Sequence, residues 1–114
     1  MTTDGRWTVV LSDLAQRDFR EITGWTARRF GRTQADRYVA LINGTLRRLS
    51  SGPHDLLSTP RTDLGDDFRA LHVPRPGRHV VLYCPAADRP NVVEVLRILH
   101  DAMDFRQHLP SSEL

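Results

Sequence analysis

Arg97 stands inside an apolar, β-branched run, Val92-Val93-Glu94-Val95-Leu96-Arg97-Ile98-Leu99, that ends on His100 and Asp101. A buried central strand accounts for the apolar residues but not for the interior arginine or the polar stop. Upstream, Arg69, His72, Arg78, His79 and Tyr83 fall on or beside two neighbouring apolar stretches. In type, these groups suit metal-free RNA cleavage: a base for the ribose 2′-OH proton, an acid for the leaving oxygen, and arginines for the phosphate. The competing reading is a solvated sheet face, which is what arginines alternating along half-exposed strands usually are. Metal binding has less support. His100 and Asp104 stand four apart and would share a face of a terminal helix, but two ligands do not make a site. Gly65 belongs to a turn and not to a phosphate loop. Cys84, the single cysteine, closes a predicted strand and reads as a partly buried thiol. No catalytic residue, metal ligand or cofactor is assigned.

Two amphipathic helices precede the strands. Trp7 to Leu11 predicts a short strand, and Ser12 is placed to cap the helix that follows. Ala15, Phe19, Ile22, Trp25 and Phe30 recur at helical spacing and define a buried face, with Gly31 as the stop. Thr33 and Asp36 form a capping-box-like start for a second helix. Its apolar face is Ala35, Tyr38, Val39, Ile42, Leu46 and Leu49, and it ends at Gly52-Pro53. Gly44 in its interior costs about 1 kcal/mol against alanine. So short a connector predicts an antiparallel hairpin.

Pro53 to Asp67 reads as a loop in which Pro60-Arg61 crosses an edge of the sheet. Strands follow near Phe68–Val73, His79–Cys84 and Val92–Leu99, with connections short enough to require antiparallel neighbours. Asp101 to Leu109 predicts one or two helical turns. The expected fold is α+β: an N-terminal strand, a helical hairpin, a three-strand antiparallel meander completing a four-stranded sheet, and a short terminal helix. One domain over 1–114 is expected, with 1–6 and 110–114 as flexible ends.

Strict alternation would put Val92, Glu94, Leu96 and Ile98 on one face of the last strand and Val93, Val95, Arg97 and Leu99 on the other. On the preceding strand Val80 and Leu82 oppose His79, Val81 and Tyr83. Both faces of the sheet centre are apolar, yet one helical hairpin covers only one of them. The expectation is a partly open face rimmed by Arg69, Arg78 and Arg97, serving as a docking groove for another polypeptide. Val81, Tyr83, Val93 and Val95 are its candidate apolar lining, and Arg69, Arg78, Arg97 and His100 its candidate polar contacts.

Composition agrees with a soluble globular protein. Of 114 residues 39% are hydrophobic and 26% charged, a balance that argues against disorder. No apolar run approaches the roughly 20 residues that cross a bilayer, and Met1-Thr2-Thr3-Asp4 does not open a signal peptide, so a cytoplasmic address and no membrane partner are expected. All 16 basic residues are arginine, with a net charge of only +2. That permits nucleic acid as a partner without pointing to it, and no sequence-specific nucleic-acid binding is expected.

Taken in order, Leu11-Ser12 with Ala15, Arg61 with Asp63-Leu64-Gly65, Phe68-Arg69, Arg78-His79-Val80-Val81-Leu82-Tyr83, and Leu96-Arg97-Ile98-Leu99-His100 followed by Met103-Asp104 and His108-Leu109 resemble the RelE/ParE superfamily of small bacterial toxins. The resemblance runs from Trp7 to Leu109. It implies the toxin half of a type II toxin–antitoxin module, in a hetero-oligomeric complex with an antitoxin whose disordered C-terminal segment wraps the toxin. RelE-like members are ribosome-dependent messenger-RNA endonucleases and usually end on a tyrosine beside a basic residue. Here the last tyrosine is Tyr83, and His100-Asp101-Ala102-Met103-Asp104 stands at the C-terminal position. That departure favours the ParE-like branch. The implied function is then inhibition of DNA gyrase by binding, without catalysis, neutralised by a ParD-like antitoxin, with RelE-like cleavage as the alternative.

Overall fold

The computed structural model describes residues 6–109. The expected flexible ends, apart from Arg6, lie outside the described residues. Strand β1 (Thr8–Leu11) leads into helix α1 (Asp13–Phe30) and helix α2 (Arg32–Arg48), which a 3₁₀ turn at Leu49–Ser51 extends. Ser12 caps α1 as its sequence position predicts: its hydroxyl accepts from the Ala15 N–H at 3.0 Å and donates to the Leu96 carbonyl at 2.8 Å. Gly31 ends α1 and also precedes α2, at φ 93°, a conformation that favours glycine. The capping box expected at Thr33 and Asp36 does not form, because α2 already begins at Arg32 with no side-chain cap.

The sheet has five strands where four were expected. Its order is β1-β5-β4-β3-β2, with β2 (Thr59–Pro60), β3 (Arg69–His72), β4 (His79–Pro85) and β5 (Val92–His100). The addition is β2, a two-residue edge strand where Pro60 crosses beside β3. Strands β2 to β5 are antiparallel neighbours, whereas β1 runs parallel to β5. The α+β class holds. The terminal segment is one 3₁₀ turn, Phe105–His108, with Asp104 as its cap. His100 is the last residue of β5 and not part of a helix, so the helical face it was to share with Asp104 does not exist.

The hairpin packs on one face of the sheet. Ala15, Ile42 and Leu49 meet Leu71, Val81, Tyr83, Val93, Val95 and Ile98 there. This corrects the expected groove: Val81, Tyr83, Val93 and Val95 have no exposed surface, since they are the floor beneath the helices. Strict alternation on β5 fails as well. Leu82 pairs with Arg97 but Tyr83 with Val95, which leaves Leu96 as the extra residue of a bulge. The bulge puts Ile98 under the helices with Val93 and Val95, and turns Leu99 to the opposite face beside Leu96.

That opposite face is closed, contrary to the expectation of an open one. Leu64 and Phe68 from the loop before β3, with Phe105 and Leu109 from the terminal segment, bury Val80, Leu82, Leu96 and Leu99. Two short covers do what a second hairpin would have done. Arg61 ties them together, bonding Asp63 at 2.9 Å and lying 5.0 Å from the centre of the Phe105 ring.

Candidate functional site

The four polar candidates do not converge. Arg97, at the bulge, turns to Asp18 of α1 and also donates to the His108 carbonyl of the terminal segment. Arg69 donates to the Ser58 hydroxyl at 2.9 Å. Both arginines therefore hold the fold together. Arg78 and His100 do come together, at the end of the sheet where the β3–β4 connection meets the last residue of β5.

Antiparallel register sets His79 of β4 opposite His100 of β5, with ring centres 5.4 Å apart and edge to face. Tyr38 of α2 brings its hydroxyl 2.6 Å from His79 Nδ1 and accepts the Arg78 backbone N–H at 2.9 Å. One proton lies between the phenol oxygen and Nδ1, and the imidazole tautomer sets which of the two donates. Burial and then the neighbouring His100 push His79 down to about 4. Burial also raises Tyr38 above its ordinary value. Near neutral pH both groups of this pair are neutral, which makes it a poor acid–base couple.

Asp101 gathers the exposed side of the cluster. It accepts from Arg78 Nε at 3.2 Å and Nη2 at 3.3 Å, and lies 3.0 Å from His72 Nε2. Arg78 first and His72 second hold its carboxyl down to about 2. The Arg78 guanidinium is therefore engaged with a carboxylate, and Arg75 lines the same concavity as His72, Arg78 and Asp101. Among the described residues no three His, Cys, Asp or Glu side chains converge as metal ligands.

Beside this cluster opens a cleft of about 370 Å³ lined by Trp25, Thr26, Phe30, Gln34, Tyr38, Pro76, Arg78, His79 and His100. Trp25 and Phe30 form its outer lip, 54% and 59% exposed, with ring centres 5.8 Å apart in an edge-to-face pair. Their helical spacing predicted burial, and the structure corrects it. Ala15, Asp18 and Thr26 are the buried residues of α1, and Trp25, although only about 20° around the helix from Asp18, lies two turns further along, where it stands exposed. Phe30 lies past the end of the buried stripe, and nothing in the sequence shows where the sheet stops.

A second concavity of about 300 Å³ runs between α2 and β1, lined by Trp7, Val9, Leu11, Asn43, Leu46, Arg47 and Ser50. It adjoins, through Trp7, a third of about 400 Å³ that includes Pro53 and Leu56. Strand β1 is a sheet edge, so its outward backbone groups lie along this groove.

A parallel edge strand, a helical hairpin on one face of a mixed sheet and a capping terminal segment define the architecture of the RelE/ParE toxins. The sequence model described as "ParE toxin of type II toxin-antitoxin system, parDE" matches residues 9–105, and the chain belongs to this family. It is 33% identical over 100 residues to Toxin ParE of Escherichia coli, covering 88% of this chain and 90% of that one. It is 31% identical over 100 residues to Toxin ParE1 of Caulobacter vibrioides, covering 87% and 94%. Among solved structures, a chain of the "Chromosomal ParDE TA system from P. aeruginosa" superposes with TM-score 0.66 at 16% identity, over 82% of this chain and 95% of that one. A chain of the RelBE2 toxin–antitoxin complex from Mycobacterium tuberculosis gives 0.58 at 21% identity, over 82% and 96%. These two likenesses show the fold.

Proposed function

We propose that this toxin acts in the cytoplasm by binding DNA gyrase, turns over no substrate, and is held inactive by a ParD-like antitoxin. The commitment of the arginines carries the reading. Arg97 pairs with Asp18, Arg69 with Ser58 and Arg78 with Asp101, so each of the three arginines that the sequence offers for a scissile phosphate is already bonded within the chain. The relatives named as ParE toxins support the same branch.

The antitoxin's place is then the groove along β1. Its apolar floor of Trp7, Val9, Leu11 and Leu46 and the strand edge beside it suit a segment that orders as it binds. This replaces the sheet face expected from the sequence.

Expression of the chain without antitoxin tests the function. Filamentous cells, chromosomal double-strand breaks and impaired supercoiling by purified gyrase are expected. Codon-proximal cleavage of messenger RNA with intact supercoiling would overturn the proposal and install the RelE-like alternative.

A further inference from the structure

We infer that the Trp25–Phe30 cleft is where the toxin grips its target, and that the target presents an acidic segment carrying one large apolar side chain. The inference rests on the proposed binding function and specifies the surface that performs it.

The aromatic lip is the first ground. Trp25 and Phe30 are more than half exposed, whereas Phe19 and Ile22 of the same helix pack on the core. Exposed aromatics over a formed cleft are the usual anchors of protein recognition. The cleft is also compact and walled from three directions, by the helical hairpin, by the β3–β4 connection and by the end of β5. Such a pocket suits a side chain projecting from a folded surface. It shares no lining residue with the groove along β1, which suits an extended segment. The two surfaces can therefore serve two partners.

Charge gives the chemistry of the occupant. The cleft wall carries no carboxylate, and its one arginine, Arg78, is already paired with Asp101, so the uncommitted positive charge lies at the rim. Exposed Arg28, Arg29 and Arg32 flank Phe30 at the Gly31 turn, and Asp101 is already bonded to Arg78 and His72. With His79 and Tyr38 neutral, the site offers an apolar floor within a cationic surround.

The test measures affinity for purified gyrase by biolayer interferometry, with thermal melting and binding to the co-expressed antitoxin as controls. Trp25→Ser and Phe30→Ser should each weaken gyrase binding at least about tenfold. Gln34→Glu, on the cleft wall, should weaken it, and Gln34→Arg should tighten it. Antitoxin affinity should stay level throughout. Gyrase binding that survives both aromatic substitutions, a reversed order of the two Gln34 variants, or a parallel loss of antitoxin binding would each overturn the cleft assignment. Wild-type protein that does not bind gyrase would overturn the target itself, a separate result.

Discussion

Asp18 and Arg97, far apart in sequence, face each other through two parallel hydrogen bonds, Nε to Oδ2 and Nη2 to Oδ1, each 2.8 Å long. Their side chains are only 9% and 16% exposed, and Oδ2 also accepts the Ile98 backbone N–H at 2.9 Å. Beyond Ser12, which bonds the Val95 and Leu96 carbonyls, this carboxylate takes over as the partner of the β5 edge. The pair joins α1, the bulge and the terminal segment at one point.

Removing either partner leaves the other charge poorly compensated, so Arg97→Ala or Asp18→Ala should each cost about 3 kcal/mol. Asp18→Asn keeps an acceptor for the Ile98 N–H and should cost less. Urea unfolding of the single and double variants checks this, and the double loss should fall short of the summed single losses.

Stability should depend on pH through His79. Its folded value, about 4, lies below the ordinary 6.5, so the unfolded chain binds the extra proton first. The contribution is complete above about 6.5, declines as pH falls towards 4, and levels off below that. His79→Asn, which keeps an acceptor for Tyr38, should flatten this slope in denaturation series at pH 7.5 and 4.5. Asp101 titrates lower still, at about 2, so its contribution is lost only in stronger acid, from the ordinary 3.8 downward.

Tyr83→Phe should affect stability and not toxicity. The ring is fully buried and its hydroxyl donates to the Pro53 carbonyl at 2.6 Å. Its loss strands that acceptor, at a cost of about 1–2 kcal/mol. A lower melting temperature with full growth inhibition is expected. Lost toxicity in a folded variant would point back to catalysis.

Phe105→Ala should open the second face of the sheet. Phe105 packs with Leu64, Phe68 and Leu109 over Leu82 and Leu96. A loss of about 3–4 kcal/mol is expected, with new binding of a hydrophobic dye. Unchanged dye binding would mean that the remaining cover suffices.

Much of the secondary structure was legible because it is written locally. Period 3.6 marked both helices, turn residues marked the meander, and Ser12 announced its cap, all from neighbours within a few positions. The candidate site was barely legible. Arg78 and His100 were named, but Tyr38 joins them from a helix 40 residues before Arg78. The helical spacing of Trp25 and Phe30 points to the core, whereas the fold leaves both at the lip.

The sequence by itself determined the two helices, the four longer strands, their order and the toxin family, since periodicity, turn chemistry and motif spacing are properties of the chain. Only the tertiary structure decided which sheet face each cover closes, where the bulge reverses β5, and which partner each arginine takes. Those outcomes depend on groups brought together from distant positions, and a one-dimensional pattern records spacing along the chain but not proximity across it.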